Sequence, residues 1–442
     1  MSDGRLPTEV ELVFEVMPCN AMRTSQEPLG PPHPCTYFRQ WGTYHSYDYD
    51  AAGPPPQRGI VQPSRYLGRA NLLPELLSGC RKAPIMAVGI NPNLPGWWSF
   101  SRGSLNPDFD DFQQYAHYFR YRSTAKLRLP AADYATYRGG TEDSPFSDFV
   151  LNVPEDAEGN RAISVELQQQ TMYLAYQDLL DSLAATMGWA EHALVVGEDL
   201  AYGNMVACPS AKWTTTPDPT DPTLPPMTED QKVGVVTECF HTRRYFLRQL
   251  FQSLPAVILV FSQNTANAFV GELQSRFVMG HPEPGESLEA LMAREIRLHY
   301  GDLPDGTSLD ARVIFAPHVT GSPAEYAPAR ARVIAQLAEE ATAGNLRLNP
   351  DTGHLARPQG ACAFCPMLEI GPCDYVAELR PLTEAPQLTA DSPASLLREE
   401  KVVQARLMAG VAAATERDAR ERVAQVWAET DDLPGLPPGE AV

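Results

Sequence analysis

From residue 84 onward the apolar and polar positions follow two periods in turn, one near 2 and one near 3.6, and each switch predicts an element. Residues 85–90 are a short apolar run closed by the turn formers Asn91-Pro92-Asn93-Leu94-Pro95-Gly96, which predicts a buried strand. Residues 109–121 predict a helix, and an amphipathic stretch at 165–187 predicts a longer one leading to a strand at 193–196. A second extended segment is expected at 204–207, ahead of a Pro-rich loop at 214–226. Thr228-x-x-Gln231 has the spacing of a capping box and opens a helix expected to end near Ser253. Pro255 introduces an apolar strand at 256–261, residues 265–273 predict a helix, and residues 312–316 form the last expected strand. An Ala/Arg/Glu-rich helix follows Gly321 and runs to Ala343. Strands alternating with helices of this length indicate parallel βαβ units and a sheet covered on both faces. The expected fold class is therefore α/β: three α/β/α layers around a central, mostly parallel four-stranded sheet.

Two flanking regions have a different character. Residues 1–83 are rich in Pro and Gly with interleaved aromatics, and read as an irregular N-terminal arm with one short strand near 10–16. Residues 346–442 read as a C-terminal extension with a cysteine cluster, a Pro-rich spacer and a polar helix at 394–429. The stretch 344–360 joins it to the domain at 84–345 and reads as a linker, with His354 a candidate metal ligand. Neither an internal repeat nor a sustained heptad run is present.

Composition narrows the class. The chain has 442 residues, 43% hydrophobic and 20% charged, which is a globular balance with enough length for a sizeable core. No apolar stretch of signal-peptide type follows the N-terminus, and runs such as 256–261 are too short to span a membrane, so a cytoplasmic protein is expected. The net charge of -20 disfavours a polyanionic partner as a sum, but binding depends on where charge sits. Arg120, Arg122, Lys126 and Arg128 cluster with no carboxylate between Asp111 and Asp133, and His241, Arg243, Arg244 and Arg248 form a second basic group. Acidic residues crowd elsewhere, including the C-terminal extension, a candidate surface for a protein partner.

Three segments fall where strands end, which is where open α/β sheets bind ligands. They are Val88-Gly89-Ile90-Asn91-Pro92-Asn93-Leu94-Pro95-Gly96-Trp97-Trp98, then Tyr202-Gly203-Asn204-Met205-Val206-Ala207-Cys208-Pro209, then Phe315-Ala316-Pro317-His318-Val319-Thr320-Gly321-Ser322-Pro323. In this order they resemble the water-activating, base-reading and leaving-group segments of the uracil-DNA glycosylase superfamily. Gly89-Ile90-Asn91-Pro92 resembles its mismatch-specific and single-strand-selective branches, where Asn replaces the Asp of the fastest branch. Asn204 to Pro209, with Cys239 further on, resembles its iron–sulfur branch.

The resemblance implies a DNA glycosylase that hydrolyses the N-glycosidic bond of uracil or another modified pyrimidine in single- or double-stranded DNA, in repair or anti-phage defence. Such an enzyme flips the nucleotide, reads the base edge, places a water near C1′ and stabilises charge on the departing ring. Asn91 and His318 take the catalytic roles, the first orienting water and the second donating to the base O2. Asn204 reads the base edge with one donor and one acceptor, beside Gly89 and Ile90, and Trp97, Trp98 or Phe100 stacks on the ring. Arg120, Arg122, Lys126, Arg128 and Ser322 are the expected DNA contacts. The chain departs from the family pattern at Asn93, Ala207 and Val319-Thr320, departures that favour a bulkier or modified pyrimidine. Asn at position 91 lacks the carboxylate that would stabilise a cationic sugar, so slow turnover is expected. A non-catalytic nucleic-acid-binding module on the same fold is the rival reading.

Eight cysteines include the group Cys362-x2-Cys365-x7-Cys373, eight residues after His354. In a cytoplasmic chain such spacing suggests Zn or one edge of a [4Fe–4S] cluster before a disulfide. Cys208 and Cys239 are the further candidate ligands, in a structural role, since the chemistry itself needs only water.

Overall fold

The computed structural model describes residues 75, 77–92, 119–120, 126–129, 150–151, 161–165, 171–189, 194–208, 213, 228–302, 308–350, 352–357, 362 and 364–365. The expected strand at 10–16, the Pro-rich loop and the helix at 394–429 lie outside them.

The protein is an α/β fold built on a mixed six-stranded sheet. Its strands are β1 (Ile85–Gly89), β5 (Leu200–Asn204), β6 (Val257–Phe261), β7 (Phe277–Met279), β8 (Arg297–Asp302) and β9 (Ser308–Ala316), in the order β5-β1-β6-β9-β8-β7. β5, β1, β6 and β9 pair in parallel, while β8 and β7 add to the β9 edge antiparallel. The expected four-stranded sheet is thus corrected to six strands. β8 escapes the sequence pattern because only alternate positions, Leu298 and Tyr300, are buried, and Arg297 and His299 between them are polar. A separate three-stranded sheet, β2 (Lys126–Leu129), β4 (Arg161–Val165) and β3 (Val150–Leu151), comes from the stretch between the helices expected at 109–121 and 165–187, where the sequence pattern places no element, and the second of those helices begins only at Thr171.

β1, β5 and β6 are buried at every position, as strands covered on both faces must be. Ile85 and Ala87 face one core, which includes Tyr176, Leu180 and Leu183 of α1 (Thr171–Met187) and Val333 and Leu337 of α6 (Pro323–Thr342). Met86 and Val88 face the other. That second core takes residues from α2 (Glu229–Thr237), α3 (Tyr245–Ser253), α4 (Gln263–Leu273) and the short α5 (Leu288–Met292).

The single helix expected from Thr228 to Ser253 is interrupted. A π-helical turn, Glu238–Thr242, follows α2 and puts Cys239 and Phe240 into the core, and Arg244 then adopts a left-handed conformation, φ 60°, before α3 begins. Residues 204–207 are likewise not a separate extended segment. The 197–199 turn, with Gly197 at φ 94°, sends the chain into β5 at Leu200, earlier than the pattern suggests. Among the described residues no helix is long and apolar enough to cross a membrane.

The stretch read as a linker packs onto the domain. Leu346 and Leu355 are fully buried, and a bridge joins Leu348 to Leu355. Asp199, wholly buried, accepts from the Val195 and Leu355 amides at 2.8 and 2.7 Å and meets His354 Nδ1 at 2.8 Å. His354 therefore has a structural partner in place of the metal expected of it.

The hydrogen bond to Asp199 raises the His354 pKa above the ordinary 6.5, against the opposing effect of burial. A raised folded-state value means that the contribution to stability is complete below about pH 6.5 and fades as pH rises through the folded value. The melting-temperature gap between wild type and His354→Ala should accordingly be widest in acid and narrow toward alkaline pH. A gap that widens with pH would refute this docking role.

Candidate functional site

The four parallel strands end together, and their ends bring the three segments to one edge of the sheet. Gly89 of β1 is the register partner of Asn204 of β5. Beyond the strands the Met205 and Val206 amides donate to the Gly89 and Ile90 carbonyls at 3.0 and 2.9 Å, so residues 204–206 stay alongside 89–90. Asn91 Nδ2 then donates to the Cys208 carbonyl at 3.2 Å, and the side chain is buried. On the far side Phe261 pairs with Ala316, the Ser262 amide donates to the Ala316 carbonyl at 2.9 Å, and His318 follows two residues later. β5 and β9 are three strand spacings apart, about 14 Å. Asn204 and His318 thus flank a span that has Gly89 and Phe261 between them on the same sheet face.

The proton on His318 is placed by its own loop. Nδ1 accepts from the Gly321 amide at 2.8 Å and from the Thr320 amide at 3.2 Å, with Thr320 Oγ1 also at 3.2 Å. A nitrogen that receives N–H bonds must present its lone pair, so the neutral ring carries hydrogen on Nε2. Burial lowers the pKa below the ordinary 6.5, which keeps the ring neutral at pH 7. The loop closes this tightly because residue 321 is glycine: a Cβ there would stand 3.2 Å from Nδ1.

Asn204 is 5% exposed and only partly satisfied. Its Oδ1 accepts from Tyr202 Oη at 2.7 Å, while Nδ2 is buried and meets no acceptor among the described residues. A buried amide donor left unpaired costs about 1–3 kcal/mol, a cost that a ligand with a suitable acceptor removes. Gly89 makes the arrangement possible, because a Cβ at that position would collide with Tyr202 Oη and lie 2.9 Å from Asn204 Oδ1.

Two residues of this edge carry no weight in the sequence reading. Tyr202 stands in the base-reading segment, but its alignment with Asn204 depends on the strand beginning at Leu200, earlier than the pattern places it. Ser262 holds φ 85° and ψ 151°, a region almost confined to glycine, at about 1–3 kcal/mol. Its Oγ accepts from the Thr265 amide at 3.2 Å and caps α4. The Ser262-x-x-Thr265 spacing was the available signal. Beneath the edge, Tyr176 stacks on Phe261 at 5.3 Å and lies 6.1 Å from Tyr202, with Tyr326 a further 6.2 Å from Phe261.

The other expected site residues fall in different places. Arg120 is buried at the start of β5, the opposite end of that strand from Asn204, donating to the Gly197 carbonyl at 3.2 Å and pairing with Glu198 at 2.8 Å. Lys126 and Arg128 belong to β2, in the separate sheet. Ile90 packs against the core facing α3 and α4. Ser322 begins α6, and its amide donates to the His318 carbonyl at 3.0 Å. Trp97, Trp98, Phe100 and Arg122 lie outside the described residues.

The expected Zn or [4Fe–4S] site is overturned. Among the described residues no group of three or more His, Cys, Asp or Glu side chains is arranged to hold a metal ion. Cys208, Cys239, Cys362 and Cys365 are buried within one hydrophobic cluster. Burial pushes the Cys365 thiol up, away from the thiolate a metal requires. Cys373 lies outside the described residues.

Compared with protein-family models and with curated proteins, the sequence matches none.

The close approach at Gly89 is open to a direct test. Gly89→Ala should destabilise the protein by roughly 1–3 kcal/mol in urea unfolding, because neighbouring groups must move aside. Gly271→Ala, where an added Cβ meets nothing within 4 Å, should be neutral or slightly stabilising. Equal effects at the two positions would refute the packing constraint.

Proposed function

We propose that this protein is a DNA glycosylase that hydrolyses the bond between a pyrimidine, uracil or a modified pyrimidine, and its deoxyribose, leaving an abasic site. The reading rests above all on His318. Its Nδ1 is engaged by the backbone of its own loop, so a neutral ring carries its donor, the N–H, at Nε2. A departing base needs that kind of group, since negative charge collects on its O2 as the bond breaks.

The other residues fit around this donor. The nucleotide leaves the stack and enters the span between Asn204 and His318. Asn204 Nδ2, buried and without an acceptor among the described residues, donates to the base edge. Asn91, anchored through Nδ2 to the Cys208 carbonyl, holds the attacking water with Oδ1. The water oxygen bonds to C1′ as the C1′–N1 electron pair leaves with the base. The water gives up a proton to solvent, and the released base later takes one. With Asn in place of a carboxylate at position 91, the cationic sugar has less stabilisation and the reaction is slow. The aromatic group of Tyr176, Phe261 and Tyr326 keeps the floor of the edge poor in water, which strengthens each of these hydrogen bonds.

The test is base release from single- and double-stranded oligonucleotides containing uracil or modified pyrimidines, read by alkali cleavage at the abasic site. Release from at least one substrate is expected, and His318→Ala should lower its rate on the order of 100-fold or more. DNA binding with no release from any substrate would favour a non-catalytic module on the same fold. The pH profile adds a second check. With the His318 pKa lowered, Nδ1 takes up a proton only below the ordinary 6.5, so the rate should hold through that value and fall at more acidic pH. An acidic limb centred above it would contradict the neutral-donor role.

A further inference from the structure

We infer that the guanidinium of Arg244, just ahead of α3, binds a backbone phosphate of the DNA strand whose flipped nucleotide enters between Asn204 and His318. The choice of partner rests on the glycosylase reading. The placement does not, since it follows from how α3 lies on the sheet. Phe246 packs on Gly203, where an added Cβ would stand 3.2 Å from its ring. One turn on, Gln249 Oε1 accepts from the Leu77 amide at 2.6 Å, next to the bridge between Ser78 and Tyr202. One turn beyond that, the Gln252 carbonyl accepts from Lys82 Nζ, just ahead of β1. α3 therefore runs antiparallel to β1 and β5. Arg244 stands at the edge where those strands end, over the sheet face opposite the one that Tyr202 occupies.

The cations differ in what already holds them. Arg120, Lys126 and Arg128, the contacts expected from the sequence, lie at the far end of β5 or in the separate sheet. Beside Arg244, His241 pairs with the buried Glu272, and Arg243 pairs with Glu238 at 2.8 Å. Arg244 is half-buried and meets no carboxylate among the described residues; its Nε donates to the His241 carbonyl at 3.2 Å. That bond steadies the neck of the guanidinium and leaves the two terminal nitrogens for the oxygens of a phosphate. The backbone supplies an independent sign. Arg244 holds φ 60° and ψ 27°, a left-handed conformation in which a side chain's Cβ is crowded and glycine's hydrogen is not. Glycine would carry the chain from the π-helical turn into α3 with less strain, so what arginine adds at this position is its side chain.

The experiment measures the affinity of the full chain for a labelled DNA single strand over a series of salt concentrations. One central nucleotide is 2′-fluoro-deoxyuridine, which resists hydrolysis and so separates binding from catalysis. Arg244→Gln removes the charge and keeps a side chain in the left-handed position, whereas Arg244→Gly removes both. Each should weaken binding about five- to tenfold at low salt and reduce the slope of log Kd against log salt by about 0.7, the share of one phosphate contact on a single strand. The loss should be the same when the central base is thymine, because a phosphate contact carries no sequence information. Arg347→Gln makes an equal charge change at an exposed position near the end where β5 begins, and should alter neither affinity nor slope. Arg244→Gly should unfold in urea no earlier than wild type, since it relieves the strained backbone. Wild-type affinity and slope in the Arg244 variants would overturn the inference, and so would an equal loss in Arg347→Gln. Should one Arg244 variant fail to fold, the other decides. Base release from an ordinary deoxyuridine strand is followed in parallel with wild type. If the Arg244 variants lose affinity and slope and no base is released, the glycosylase reading falls and the phosphate contact stands. If release occurs and those variants bind as wild type does, the reverse is true.

Discussion

The register that sets Gly89 beside Asn204 is the constraint on which the rest of the site edge depends. It is a backbone pairing between β1 and β5, continued past both strands by the Met205 and Val206 amides. Because of it, the chain from 204 to 208 runs next to 89–91, and Asn91 reaches the Cys208 carbonyl. The same pairing puts Tyr202 and Asn204 against a residue with no side chain, and only there can the phenol meet the amide. A shift of the register by one residue would send Asn204 to the opposite face and dissolve all of these contacts at once. The apolar strands on both sides of β1 prevent that shift, since every position of β1, β5 and β6 is buried.

The two ends of the sheet divide the demands of stability and chemistry. At the end where β5 begins, polar groups are densely paired. Asp199 takes two amides and His354, Arg120 binds Glu198 and the Gly197 carbonyl, and Arg357 donates to the Glu198 carbonyl at 2.6 Å. At the other end the protein holds Ser262 in a conformation suited to glycine, a buried Asn204 donor without an acceptor among the described residues, and a histidine shifted toward neutrality. These departures from local rules are the kind that the ligand site proposed for that edge would use.

The buried thiols show how spacing and packing part company. Cys362 and Cys365 have a spacing that metal sites share, yet in the fold they sit with Cys80, Cys208 and Cys239 inside one hydrophobic cluster. Burial disfavours the thiolate at Cys365, and a protonated thiol packs as a small apolar group. Arg81 lies over the Phe364 ring at 4.2 Å in the same region, so the segment is fastened to the domain by packing and a cation–π contact.

What the sequence determined by itself is the layered α/β class, the strands at 85–90, 256–261 and 312–316, and the three strand-end segments, because burial on both faces leaves unbroken apolar runs and turn formers mark where they stop. It also singled out Asn91, Asn204 and His318 as the residue types that hydrolysis of an N-glycosidic bond would use. Tertiary structure alone decided the two antiparallel strands at the edge, whose half-exposed pattern resembles a loop, and the interruption of the helix between Glu238 and Arg244. It decided too that Arg120 is a buried structural cation and that the cysteines are core. These outcomes turn on which distant partner a side chain meets, Glu198 for Arg120 and Asp199 for His354. No local pattern encodes such a partner, because the pairing exists only after the strands have taken their order and register.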